Sequence, residues 1–142
     1  MSTTFDLVTL VEQVITDLLP GQFLTLDYDS GDPGREPYAQ LAIEFDEYYL
    51  EVVSEHYLPP TEWPLNTRWL RSHGWSCPDE STANWWRTTS DAHLAARALV
   101  TALTTARACR EPDRFSVSIG TFSPPPGGGK PLLDTRDQMV AA

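Results

Sequence analysis

The sequence predicts an α+β protein in which helices pack on one antiparallel sheet, with the element order α-β-β-β-α-β-α and a candidate further strand near the end. Three observations predict this class. An amphipathic helical pattern opens the chain, segments of alternating hydrophobicity follow it, and an alanine-rich helical stripe comes after residue 90. A chain of 142 residues suits one domain whose core needs no disulfides.

The first half of the chain predicts one helix and a three-stranded meander. Pro20-Gly21 ends the helix, whose apolar residues recur at helical spacing. These residues are Leu7, Val8, Val11, Val14, Ile15 and Leu18. Alternation then predicts strands over 24–28, 39–45 and 48–54, with a tight turn near Asp46-Glu47 before the third strand.

The segment from Leu65 to Arg87 holds four of the five tryptophans and begins with a short predicted helix. Gly74 is expected to end that helix, because glycine readily adopts the left-handed conformation of a helix terminus. The apolar Trp75 that follows can fold back onto Leu70, as in a Schellman cap.

A strand is predicted over 83–88, at the end of the same segment. Side chains alternate between the two faces of a sheet, so the adjacent Trp85 and Trp86 are expected on opposite faces. One indole is therefore expected in the core. The other, facing out, is a candidate binding hot spot.

The last third of the chain predicts a long helix and the further strand. Ser90 and Asp91 suit the start of the helix, which must end before Pro112. Its stripe comprises Leu94, Ala95, Ala98, Leu99, Ala102, Leu103 and Ala106. Phe115, Val117 and Ile119 alternate after it, as in a strand.

The two ends of the sequence bear on domain extent and location. Residues 123–142 combine a proline run with a glycine run, a composition that predicts a disordered tail after a single domain over 1–122. The first twenty residues carry Asp6, Glu12 and Asp17 but no Lys or Arg, which argues against a signal peptide or a membrane span. We therefore expect a cytoplasmic protein.

The formal charge of −10 makes nucleic acid or an anionic membrane an unfavourable partner, because the field of the protein repels phosphate. Ten acidic residues lie between Gln22 and Glu62 against Arg35 alone. This excess fits either a solvated sheet face that keeps the protein soluble or a docking face for a basic partner, to which tyrosines would add contact area. The candidate partner-binding residues are Glu44, Tyr49, Glu51, Glu55, Trp85 and Trp86.

Motifs for catalysis, metals and cofactors do not match. The acidic run after Asp27 lacks the residues of a calcium loop, and the GGGK ending at Lys130 is followed by proline, unlike a phosphate loop. Cys77 and Cys109 are too far apart for a metal or redox motif. We therefore expect no enzymatic activity, no metal and no cofactor.

A short helix ending in Gly74-Trp75 is followed by Pro78, then by Asn84-Trp85, then by a long helix with Ala95, Ala96 and Leu99. This pattern and the element order resemble the type III secretion chaperone-like fold, and within it the YbjN-like or TY-Chap group of bacterial proteins, many of them actinobacterial. The likeness covers about residues 4–121. Classical secretion chaperones differ by placing two strands between their second and third helices.

The resemblance implies a small, acidic, cytoplasmic module that binds peptide segments of a partner, often as a homodimer. Our leading hypothesis is a noncatalytic chaperone-like protein that captures a basic or partly extended segment. An immunity or antitoxin-type inhibitor of a basic toxin is the alternative, and a small-ligand binder or enzyme is the third. Affinity for extended segments would favour the first, and one tight folded partner the second.

Overall fold

The computed structural model describes residues 4–122. Its elements follow the predicted order and add the further strand after the long helix, which confirms the α+β fold class. They are α1 (Thr4–Asp17), β1 (Gln22–Tyr28), β2 (Tyr38–Glu44), β3 (Glu47–Val52), α2 (Thr67–Ser72), β4 (Trp85–Thr89), α3 (Ala92–Thr101) and β5 (Phe115–Thr121). The predicted tail over 123–142 lies outside the described residues.

The five strands form one antiparallel sheet in the order β4-β3-β2-β1-β5. The meander β1-β2-β3 is confirmed, and β4 continues it on one side. β5 pairs with β1 along its full length, with Leu24 opposite Ile119. The last strand of the chain therefore forms one edge of the sheet and β4 lies at the other.

The turn between β2 and β3 lies one residue earlier than predicted. Phe45 and Asp46 both have positive φ, 49° and 65°, as in the two-residue turn that suits the twist of a hairpin. The strand predicted over 39–45 included Phe45, but this residue lies at the turn and is 88 % exposed. The type of turn, which sets the register, overrode the alternation.

The helices cover one face of the sheet, where the main core lies. The strand side chains in this core include Leu24, Leu26, Ala39, Leu41, Leu50 and Val52. From the helices, Val11, Ile15 and Leu99 meet them. The opposite face, which we call the outer face, carries the alternate strand residues, among them Phe23, Thr25, Gln40, Ala42, Glu44, Tyr49, Glu51 and Trp86.

The predicted cap of α2 is confirmed, although the helix starts later than expected. Asn66 accepts a hydrogen bond from the Trp69 amide on its Oδ1 at 3.0 Å and so begins the helix. At the other end Gly74 has a φ of +88°. The Trp75 amide donates to the Leu70 carbonyl at 3.0 Å, the bond that closes a Schellman-type helix end.

The long helix ends in a π-helical turn over Ala102–Ala106, after which Arg107 is fully buried. Its guanidinium donates to the carbonyl oxygen of Val53 from Nε and Nη2, at 3.1 and 2.8 Å. Its Nη1 donates to the carbonyl oxygens of Trp63 and Pro64, at 3.1 and 3.2 Å. Arg107 thus joins the helix end to the loop after β3, a role that the sequence did not indicate.

Candidate functional site

An apolar strip crosses the outer face from β5 to β4. Phe23, Ala42 and Tyr49 form its buried centre, with Trp86 and Phe122 packed against it. The Phe23 and Phe122 rings have centroids 4.6 Å apart, and Tyr49 stacks on Trp86 at 6.0 Å and 19°. The strip is therefore a second, smaller apolar cluster, on the side of the sheet that the main core does not use.

Gly120 allows the Phe23 end of the strip to form. It lies opposite Phe23 in the pairing of β1 with β5, and the Phe23 ring occupies the space that a side chain would need. A Cβ at this position would lie 2.3 Å from Phe23 Cζ, well inside van der Waals contact. Glycine, which has no Cβ, is therefore the residue that fits beneath the Phe23 ring at this position.

Carboxylates surround Tyr49 in the strip. Burial raises the pKa of Tyr49 to about 12; the Thr82 hydroxyl opposes this shift, and the charges of Glu51, Glu44 and Asp79 add to it. Glu51 is only 2 % exposed and lies in one row of the sheet with Gln40 and Trp86. The outer face is thus aromatic and negatively charged at the same place.

Four of the six candidate binding residues share this face. Glu44 on β2, Tyr49 and Glu51 on β3 and Trp86 on β4 belong to it by strand alternation. Of the two adjacent indoles, Trp86 is therefore the one directed away from the helices. The sequence alone could not decide which indole this would be, since the alternation is symmetric.

The other two candidates lie elsewhere. Trp85 is 1 % exposed and belongs to the main core. Its Nε1 donates to Glu55 Oε1 at 3.1 Å, so Glu55 satisfies a buried indole. The Arg71 guanidinium lies 5.6 Å from the centre of the Trp85 ring. Burial places Trp85 among the residues that stabilise the fold, and Glu55 is bound to it.

The outer edge of β5 is the other prominent feature of the sheet. The Phe122 amide donates to the Gly21 carbonyl and the Asp29 amide to the Arg114 carbonyl, each at 2.9 Å. Even-numbered residues of this segment therefore direct their backbone groups towards β1, and odd-numbered residues direct theirs outward. Within residues 4–122 no strand pairs with that outer side.

The described residues hold no group of three or more His, Cys, Asp and Glu side chains placed to bind a metal ion. Cys77 is exposed and Cys109 is buried. Burial raises the pKa of the Cys109 thiol to about 12, so the nucleophilic thiolate is disfavoured there. Over 4–122, no helix has the length and apolar character needed to cross a membrane.

Comparison with models of protein families identifies the family of the chain. A family model described as "T3SS (YopN, CesT) and YbjN peptide-binding chaperone 3", TY-Chap3, matches residues 7–120. The chain belongs to this family. The match runs from α1 through β5 and confirms the resemblance to the YbjN-like and TY-Chap group. No curated protein and no solved structure gave a match.

Membership in TY-Chap3 suggests a peptide-binding chaperone role, and with it a protein or peptide as partner. It also suggests a protein that is not an enzyme. The family description names no binding surface. The fold itself offers two candidate surfaces for a peptide, which are the outer edge of β5 and the accessible part of the outer face at Glu44, Glu47 and Trp86.

Proposed function

We propose that this TY-Chap3 protein is a noncatalytic chaperone that binds an extended segment of its partner as an added strand along the outer edge of β5. The observation that carries the proposal is the outward direction of the backbone groups of Val117, Ile119 and Thr121 at the sheet edge. An added peptide strand gains its affinity from such main-chain groups.

The composition of β5 also supports the proposal. Natural edge strands are commonly protected from pairing by charged residues, proline or a bulge. The segment Phe115–Thr121, FSVSIGT, contains no charged residue and no proline, and its seven residues pair with β1 without a bulge. Ile119 is 50 % exposed. An unprotected, regular edge with an exposed apolar side chain suits an incoming strand.

A proline substitution at Ile119 tests the proposal without disturbing the pairing with β1. The Ile119 amide faces outward, and proline is tolerated in edge strands where it removes only such an amide. Peptides of twelve residues selected from a random display library against the full chain would serve as probes. We expect Ile119→Pro to weaken their binding about tenfold or more, which corresponds to the loss of a hydrogen bond and the strand contacts that depend on it.

Ile119→Thr is the matched control, since it shortens the same side chain and keeps the amide. It should bind within about threefold of the wild type, because a partly exposed side chain contributes little. Equal affinities of Ile119→Pro and wild type would refute strand addition at β5. Circular dichroism and thermal unfolding of both variants would verify that the sheet is retained.

We further propose that the acidic outer face favours basic partners. The carboxylates that act on Tyr49 support this, because a lysine or arginine beside the half-buried Trp86 would meet both negative charge and aromatic surface. Reversing Glu51 or Glu55 would be a poor test, since Glu51 is buried and Glu55 bonds to Trp85.

Glu44 and Glu47 provide the better test, because Glu47 is exposed and the two lie opposite each other in the pairing of β2 with β3. Glu44→Lys combined with Glu47→Lys should lower the affinity for lysine-rich selected peptides and reduce the salt dependence of binding. Asp113→Lys combined with Asp17→Lys is the control for total charge, because it changes the charge by the same amount at two exposed positions, one in the turn before β5 and one at the end of α1. If both changes had the same effect, the local face would not be the recognition element.

The remaining predictions from the sequence accompany this proposal. They are a cytoplasmic location, a homodimer, and one domain over 1–122 with a disordered tail over 123–142. Sedimentation of the full chain would test the dimer. Because β5 could also pair with the β5 of a second copy, the Ile119→Pro variant should be included in that measurement.

A further inference from the structure

A cleft of about 470 Å³ opens between α2, α3 and β4, on the helical side of the molecule. Trp69, Trp75 and Leu94 supply its apolar walls, while Arg87 and Arg97 supply its positive charge. Leu94 is 42 % exposed, unlike the rest of the α3 stripe. The cleft is separate from the outer face and from the edge of β5, so it is a third candidate site for a ligand.

Two buried N–H groups belong to residues that line this cleft. Trp75 is 4 % exposed, yet its indole Nε1 has no hydrogen-bond acceptor in the described part of the chain. The Nε of Arg87 is also buried without an acceptor there. Because a buried donor without a partner is costly, native proteins rarely leave one, and two such donors in residues that line one cleft favour an acceptor supplied from outside the chain, by a ligand or by water.

The orientation of Arg87 is fixed by its surroundings. Its Nη1 donates to the His73 carbonyl at 2.7 Å, and its guanidinium lies 5.9 Å from the centre of the Trp75 ring. The left-handed Gly74 brings the chain close to it, with the guanidinium 3.5 to 3.7 Å from the position of a Cβ on that glycine. The guanidinium and the indole are thus held together before any ligand arrives.

The charge of the cleft differs from that of the protein. Neither Arg87 nor Arg97 forms a salt bridge with any residue over 4–122. The single carboxylate in the lining is that of Asp91, and its Oδ1 accepts from the Leu94 amide at 3.0 Å as the cap of α3. In a chain with 20 acidic and 10 basic residues, two arginines in one cleft that form no salt bridge over 4–122 favour an anionic ligand.

We propose that this cleft binds a carboxylate group, whose oxygens accept hydrogen bonds from Trp75 and Arg87 and whose charge is balanced by Arg97. A planar pair of oxygens matches the fork of a guanidinium, and the apolar body attached to the carboxylate would lie against Trp69 and Leu94. Two arginines against Asp91 leave one net positive charge in the lining, where His93 is paired with Glu12, and this suits a monoanion better than a phosphate dianion. The site does not depend on strand addition at β5.

The carboxylate could belong to a small organic acid or to the C-terminus of a peptide, and paired probes distinguish the two. The small probe is N-acetylphenylalanine, with its primary amide as control. The peptide probe is a hexapeptide ending in phenylalanine, with a free or an amidated C-terminus. The full ¹⁵N-labelled chain is titrated with each, and the indole N–H signals are followed by NMR, with Trp75→Phe used to assign the Trp75 signal.

Binding of a carboxylate should move the Trp75 indole proton downfield in a saturable way, while the amides leave it in place. Arg97→Gln should weaken binding about three- to fivefold, as expected for an exposed charge pair. Arg87→Lys should weaken it about tenfold, because the fork is lost although the charge is kept. Arg68→Gln, an exposed arginine on α2 outside this cleft, should bind like the wild type.

The pattern of responses identifies the source. A response to the free peptide alone indicates a C-terminal carboxylate, and a response to N-acetylphenylalanine alone indicates a small acid; a response to both supports the shared chemistry. Each acid is added up to 10 mM, since a Kd of about 10 mM is the weakest affinity that such a site would give. No saturable shift with either acid, or equal shifts with the amides, would overturn the proposal. So would an unchanged affinity of Arg97→Gln.

Discussion

Replacing Arg107 with methionine tests whether the guanidinium holds the end of the π turn to the loop after β3. Arg107 is 0 % exposed and donates to three carbonyl oxygens, those of Val53, Trp63 and Pro64. Burial lowers the pKa of Arg107 to about 10, so the side chain stays charged at neutral pH. A buried charge of this kind is tolerated because its donors are satisfied.

The expected loss depends on the groups that methionine would leave unpaired. An unpaired buried acceptor costs about 1–3 kcal/mol, and this applies in full to the Val53 carbonyl and in part to the part-buried carbonyls of Trp63 and Pro64, so the sum is below about 9 kcal/mol. Removing the guanidinium also removes its own desolvation penalty, which is several kcal/mol for a buried ion. The net expectation is a decrease of about 3 kcal/mol in the free energy of unfolding, since these two effects partly cancel.

Urea unfolding followed by tryptophan fluorescence and by circular dichroism measures this change. Arg110→Met, at an exposed position three residues on, is the matched control and should change stability by less than about 0.5 kcal/mol. The free energy of unfolding of Arg107→Lys should lie between those of Arg107→Met and Arg110→Met, because an ammonium keeps the charge without the planar fork. A loss below about 1 kcal/mol for Arg107→Met would refute the reasoning, since it would mean that water or a neighbouring donor satisfies the three carbonyls.

Two further changes test the outer face. Gly120→Ala should destabilise the protein by about 1–3 kcal/mol, because its Cβ would overlap the Phe23 ring and the cost of overpacking exceeds the small entropic gain of alanine. The control is Ser118→Ala, at an exposed position on the same side of β5, which should leave the free energy of unfolding unchanged in the same urea experiment. Equal stability of the two variants would contradict the close packing of Phe23 on Gly120. Tyr49 has its pKa raised from 10.0 to about 12, so between these values the folded state keeps a proton that the unfolded state loses, and stability should fall as the pH rises through this window. Unfolding measured from pH 9 to 11.5 should show a shallower decline for Tyr49→Phe than for the wild type, by up to about 1.4 kcal/mol per pH unit; parallel curves would contradict the assignment to Tyr49.

The structure alters how the acidic segment is understood. The carboxylates between residues 22 and 62 were predicted as one group on a sheet, but they do not act alike. Glu55 satisfies the Trp85 indole, Glu51 is buried on the outer face, and Glu62 pairs with Arg35 at 3.2 Å. On the outer face, Glu44 and Glu47 are the candidates for contact with a basic partner, because Glu44 is part-exposed and Glu47 exposed, whereas Glu51 is buried.

The sequence by itself determined the features that depend on neighbouring residues. The element order follows from local periodicity, and the end of α2 follows from Gly74 and Trp75, because a helix cap is made within a few residues of chain. The presence of β5 was also indicated by the alternation of Phe115, Val117 and Ile119. The family resemblance rested on these same local features.

Only the tertiary structure decided what depends on residues far apart in the chain. These features are the pairing of β5 with β1 and the burial of Arg107 against carbonyls from another segment. They also include the inward position of Trp85, the outward position of Trp86, and the cleft between α2, α3 and β4. Strand alternation in the sequence is symmetric, so it assigns residues to two faces without saying which face the helices cover. That choice is made by packing across the whole domain, because burying one face against the helices is what stabilises the sheet.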